Sequence, residues 1–287
     1  MGTALRKCKT VEDFEGFLNA EKGPGLNVTA NFSVIDATGK AVLFETHSKG
    51  FTKYDANEAA EKYVLVTNFS RSGKANAGAG YLRFDRALEL VKQVRPGNLS
   101  PELIFRDFSR DTGHVLLKSL TYPEYKQHSA SEDLWIHNRF TINRSDTACA
   151  VVMVSKDPSD PRSRAMMWIL PGEPMTAIAL PLWPDAGVTP DPFWKGGTEA
   201  PIWAETLRIK RLIRPFYPEV PEKKEYMRIA RVDNKEGTGY LPMFLATERD
   251  VFKATDDFMQ KPHTPSDLSA FQNAMAEKVM GVLGSVK

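Results

Sequence analysis

Tyr63-Val-Leu-Val-Thr-Asn-Phe-Ser70, followed by Gly80-Tyr-Leu-Arg-Phe84, is the stretch on which the reading of this chain turns. The apolar run predicts a strand over 63–69 that ends in Thr67-Asn68, and the Gly/Ala-rich loop after it leads into a helix that begins near Arg83. An Asn at a strand end can aim its side-chain amide into a cleft, and a nearby Arg can hold a carboxylate or brace the site. An amide-cleaving site needs such a pair as one half and a nucleophile as the other. Taken singly, Asn68 reads as a residue closing a strand into a turn. Arg83 alone reads as a helix-start residue that pairs with Asp85.

Upstream, the pattern is that of an antiparallel sheet. Val28, Ala30, Phe32 and Val34 alternate with Asn27, Thr29, Asn31 and Ser33. The turn Asp36-Ala-Thr-Gly39 then leads into a second strand over 41–46, which makes a hairpin. A third strand over 50–54 and the fourth over 63–69 complete the group. Before them, Leu5 and Cys8 have helical spacing, Thr10-Val-Glu-Asp13 reads as a cap, and Val11, Phe14, Phe17 and Leu18 form a stripe that stops before Gly23-Pro24-Gly25.

Downstream, a helix over 82–94 carries Phe84, Leu88 and Val91 and stops at Pro96-Gly97. Ser100-Pro101-Glu102 starts another that runs to 109. Residues 112–138 read as a long loop with strand fragments. A second strand group begins near Phe140, with strands over 148–154, 164–170 and 176–180, the first two joined by the turn Asp157-Pro-Ser-Asp-Pro161. The Pro- and Trp-rich stretch 183–225 wraps the core and carries a short helix. Two helices close the chain, over 241–259 and 265–286, the second capped by Ser266 and lined by Leu268, Phe271, Met275, Val279 and Leu283. With no internal repeat and no boundary signal, residues 1–287 read as one layered α+β domain.

Composition excludes several classes. A hydrophobic fraction of 42% with 26% charged residues fits a globular chain with a sizeable core, and a formal charge of +2 gives no pull toward nucleic acid or membrane. No apolar run is long enough for a membrane span, and the N-terminus lacks the apolar region of a secretory signal. The five histidines show no HExxH and no i, i+4 pair, so neither metal nor cofactor is expected. There is no G-x-S-x-G elbow, and Ser72-Gly-Lys-Ala lacks the spacing of a phosphate loop. The five Asn-x-Ser/Thr triplets, at Asn27, Asn31, Asn68, Asn98 and Asn143, lie mostly in or beside strands and read as chance. Cys8, on the apolar side of a helix, and Cys149, opening an apolar strand, both read as buried, inert thiols.

The ordered combination of 31–46, Phe51-Thr-Lys-Tyr-Asp-Ala-Asn57, Val66-Thr-Asn-Phe-Ser70, Gly80-Tyr-Leu-Arg-Phe84, Phe140-Thr-Ile-Asn-Arg144, Cys149-Ala-Val-Val-Met153, and 165–174 through Pro181-Leu-Trp183 resembles the cysteine N-terminal-nucleophile (Ntn) hydrolases. The branch it resembles most is that of isopenicillin N acyltransferase, the acyl-CoA:6-aminopenicillanate acyltransferases; choloylglycine hydrolases are more distant. The resemblance implies an αββα sandwich and a cysteine nucleophile, freed by precursor cleavage, whose own α-amino group is the general base. It implies that Asn68 donates to the oxyanion, that Arg83 supports the nucleophile site, and that Arg144 braces the site or the substrate. A small-molecule amide is the implied substrate. The segment that carries the nucleophile in that family has no counterpart here. The expectation is therefore a sandwich incomplete at the N-terminus, inactive alone, with an open sheet edge suited to a second copy or a partner chain. The rival reading is a non-catalytic module that binds acyl amides or a partner chain.

Overall fold

Residues 2–21, 29–75, 77–95, 97–195 and 197–287 are described in this computed structural model, in which helices and antiparallel strands are mixed as an α+β chain. The Gly23-Pro24-Gly25 stop, the first strand's expected start at Asn27-Val28, and Pro96 lie outside the described residues. The chain divides into two compact units, Met1–Phe84 with Ser155–Ala165, and Asp85–Val154 with Met166–Lys287.

In the first unit, α1 (Gly2–Lys7) precedes α2 (Val11–Glu21). The cap read from sequence is present: the Asp13 amide donates to Thr10 Oγ1 at 3.1 Å, and the Thr10 and Lys9 amides donate to Asp13 Oδ2 at 3.1 and 2.9 Å. These amide donors hold the Asp13 carboxyl below its usual range. Three strands follow, β1 (Ala30–Ile35), β2 (Ala41–His47) and β3 (Gly50–Asp55), antiparallel in the order β1-β2-β3. α2 buries Val11, Phe14 and Leu18 on one face of that sheet, with Val42 and Phe44 beneath. Phe14 meets Phe44 edge-on at 5.2 Å, and Phe44 meets Phe51 at 5.4 Å.

The expected fourth strand is not formed. Residues 63–69 run as irregular backbone whose carbonyls bond to side chains, those of Thr67 and Phe69 to Asn31 Nδ2 and that of Leu65 to Arg71. Side-chain donors have taken the acceptors that a strand ladder would use. The helix after it is present as α3 (Tyr81–Lys92).

The second unit begins within α3. Ser100 caps α4 (Pro101–Leu103), accepting from the Leu103 amide, and the helix continues as a π-helical turn over Ile104–Ser109. The 112–138 loop contains one helical turn, α5 (Tyr122–Tyr125), and the short strand β4 (Trp135–His137). No strand forms at Phe140. The second sheet is β5 (Ala150–Val154), β6 (Met166–Leu170) and β7 (Leu180–Leu182), antiparallel in that order. β7 starts later than the sequence indicates, because Pro174–Thr176 forms a 3-10 turn. α6 (Pro201–Ile213), β8 (Tyr226–Arg228, paired with β4), α7 (Leu241–Phe258) and α8 (Pro265–Ser285) complete the unit. The N-cap of α8 is Thr264, not Ser266. The Thr264 hydroxyl accepts from the Asp267 amide while Asp267 accepts from the Thr264 amide, so the reciprocal box forms two residues earlier.

The core of this unit encloses a complete ion pair. Arg110, 2% exposed, places its two terminal nitrogens on the Glu248 oxygens, each at 2.8 Å. Its other N–H groups reach the carbonyls of Pro174, Ala177 and Phe105. All five guanidinium donors are used. Glu248 also accepts the Ala179 amide at 2.9 Å, which ties α7 to the start of β7. Glu248→Ala would leave that guanidinium buried and uncompensated. It is expected to destabilise the protein by about 3–5 kcal/mol in urea unfolding; a loss below about 1 kcal/mol, the level of an exposed pair, would contradict this assignment.

Candidate functional site

Strand alternation sets the site. In the β1–β2 register Phe32 lies opposite Phe44 on the face covered by α2, so their neighbours Asn31 and Glu45, also opposite each other, lie on the other face. Both side chains grip the segment that was expected to be a strand. Asn31 Nδ2 donates to the carbonyls of Thr67 and Phe69, at 3.2 and 3.1 Å, and so brackets Asn68. Glu45, 2% exposed, accepts from the amides of Arg71 and Ser72 and from the hydroxyls of Ser70 and Ser72. Burial pushes its carboxyl up, but those four donors outweigh it and hold the group below the usual carboxylate range. The charge of Glu45 also helps raise the Tyr54 phenol, which burial raises first.

The far side of the loop closes on the same residues. The Ala79 amide donates to the Asn68 carbonyl at 3.1 Å, and Thr67 Oγ1 donates to the Gly80 carbonyl at 3.0 Å. Phe69 stacks on Tyr81 at 4.3 Å and meets Phe84 edge-on. Gly80 has a φ of +89°, and a Cβ there would lie 2.7 Å from Arg83 Nη2 and 2.9 Å from Thr67 Oγ1. A glycine is needed for the backbone conformation and for the room through which Arg83 passes.

Arg83 Nη2 donates to Asn68 Oδ1. That bond fixes which way the Asn68 amide faces, because only the oxygen can accept from a guanidinium. Asn68 is exposed, and its Nδ2 has no hydrogen-bond partner among the described residues. The result is an oriented, polarised N–H donor on a braced loop. Asn68 and Arg83, paired from sequence, are thus brought into direct contact within the first unit.

Arg144 belongs to the second unit. It is half-buried on a loop of fully buried polar residues, where the Thr141 hydroxyl donates to the Asn143 carbonyl at 2.6 Å and Asn138 Nδ2 donates to the same carbonyl. Its Nε is buried with no hydrogen-bond partner among the described residues. Cys149 is exposed, which corrects the expectation of a buried thiol: it precedes β5 instead of lying inside it. Cys8 is half-buried against the α2 cluster. Among the described residues, neither thiol bonds an imidazole, ammonium or guanidinium group, and no cluster of His, Cys, Asp and Glu has the arrangement of a metal site.

Sequence reading passed over Asn31 and Glu45. The available signal was an acid inside the apolar run 41–46 and an amide on the polar face of the preceding strand; their register across the hairpin makes them one device. Compared with known proteins, the chain matches no protein-family model, no curated protein and no solved structure.

The Glu45 carboxyl gives the site a signed pH dependence. A carboxyl held lower in the folded state contributes stability that is present above its unfolded value, about 4.3, and lost as pH falls through the folded value. Amide hydrogen exchange at Arg71 and Ser72 is therefore expected to lose protection below that range in the native chain. Glu45→Gln should already show reduced protection at pH 7 and little further change on acidification. Equal protection of the two proteins at pH 7 would contradict the assignment.

Proposed function

We propose that this chain is a member of the acyltransferase-like branch of the cysteine Ntn hydrolases, and that Asn68 is its oxyanion donor for linear amide C–N bonds. The observation that carries the reading is the Arg83–Asn68 bond, which orients the Asn68 amide and leaves its Nδ2 uncommitted among the described residues. When a thiolate adds to an amide carbonyl, negative charge grows on the oxygen, and a donor already in place stabilises it without reorganisation. The acyl group then passes through a thioester to water or to an amine. Arg144 keeps in this reading only the bracing role that the resemblance implies. The reading carries with it the αββα sandwich as architecture. It also includes a second copy or partner chain at the open edge β5, where Val151 and Met153 are 40% and 65% exposed.

Among the described residues, neither Cys8 nor Cys149 bonds an imidazole, ammonium or guanidinium group that would activate a thiol. The nucleophile of this reading is thus neither of them, and the 287 residues alone are expected to turn over nothing. The same observation favours a second reading, a non-catalytic module that binds acyl amides through Asn68.

Two measurements test the proposal. The purified chain, assayed against penicillin-type, bile-salt and N-acyl amino acid amides, is expected to give no turnover above background; clear turnover that survives Asn68→Ala would overturn both the inactivity and the role of Asn68. Sequencing the gene upstream of Met1 separates the two readings. An in-frame segment with a Gly-Cys or Asn-Cys junction supports the hydrolase, and its absence overturns the catalytic reading in favour of the binding module.

A further inference from the structure

Away from Asn68, the second unit contains a buried amine that the proposed chemistry does not use. Lys210, on the inner face of α6, is 6% exposed. It lines a cavity of about 130 Å³ with Ser145, Asp146, Trp203, Thr206 and Tyr217. At roughly 30 Å³ per water, that space holds four or five waters, or a molecule of as many non-hydrogen atoms. The Lys210 ammonium donates to the Ser145 carbonyl and sits 4.1 Å from the centre of the Tyr217 ring.

The charges around it do not settle the amine as a simple ion pair. Glu173, the nearest carboxylate, lies 3.7 Å away and is already occupied by Arg214, whose Nε and Nη2 bond both of its oxygens. One helical turn separates Lys210 from that Arg214 cation. Burial pushes the Lys210 pKa down, Glu173 and then Asp146 pull it back, and Arg214 adds to the depression; the net is below the ordinary lysine value. A desolvated lysine beside a second cation, facing an open cavity, has the setting of a nucleophilic amine.

We propose that Lys210 is a nucleophilic amine that binds small neutral aldehydes covalently, as an imine, in the cavity between α6 and the 145–148 segment. The ammonium first gives one proton to solvent. The Nζ lone pair then forms a bond to the carbonyl carbon, the carbonyl π pair moves to oxygen, and that oxygen takes up a proton. Nζ loses a further proton as the hydroxyl leaves as water, and the C=N bond forms. This site is independent of Asn68 and of any cysteine.

Reductive trapping tests it. The full chain is incubated at pH 7 with propionaldehyde and cyanoborohydride, which delivers hydride to the protonated imine and converts it to a stable secondary amine. Peptide mass spectrometry then compares Lys210 with the exposed Lys261. Depression of the amine's pKa enlarges its free-amine fraction at pH 7, so Lys210 is expected to label faster than Lys261. Labelling at or below the Lys261 rate, or labelling that appears only in urea, would overturn the proposal. Ala148→Trp, at the exposed rim, is expected to slow labelling of Lys210 and leave Lys261 unchanged; unchanged labelling of Lys210 would overturn the role of the cavity.

Discussion

The first unit depends on a carboxylate buried behind a three-stranded sheet. Glu45 sits on the central strand β2 and gathers two backbone amides and two hydroxyls from Ser70–Ser72. Leaving the buried carboxylate without those donors would cost its desolvation penalty, so the loop folds onto the acid. Asn31, opposite Glu45 in the register, bonds the carbonyls on either side of Asn68. The two side chains convert an apolar segment that could have paired as a strand into a fixed, irregular loop. The exposure of the Asn68 amide and its contact with Arg83 follow from that conversion.

The second unit is organised by buried cations whose partners differ in completeness. Arg110 has an acceptor for every donor, shared between Glu248 and three carbonyls. Arg214 takes both oxygens of Glu173. Lys210 approaches a carboxylate that is already engaged, and it lines a cavity beside the Tyr217 ring. Planar guanidinium groups suit bidentate burial, whereas an ammonium is a compact point charge that yields its proton when desolvated. The same physics makes two of these cations structural and leaves the third chemically available.

Local pattern was legible where short-range forces decide the outcome. The Thr10–Asp13 cap, the hairpin through Asp36–Gly39, the start at Ser100-Pro101 and the two closing helices all follow from turn chemistry and periodicity. Reading failed where distant side chains intervened. The run 63–69 has strand composition, yet its carbonyls are captured by Asn31 and Arg71. Cys149 looked buried because an apolar strand follows it, but the strand begins one residue later and the thiol is exposed. At α8, Thr264 and Ser266 are both capping residues by type, and only Thr264 has an acid three positions on to close the reciprocal box.

By itself, the sequence determined that Asn68 and Arg83 flank a glycine-containing loop, and it did so through composition and order. Only the tertiary structure decided that they touch, that the touch orients the Asn68 amide, and that Asn31 and Glu45 hold the loop in place. The reason is geometric. Alternation along a strand can be read from one segment, but which residue of the next strand lies opposite, and which loop then meets that face, is fixed only when all the segments pack together.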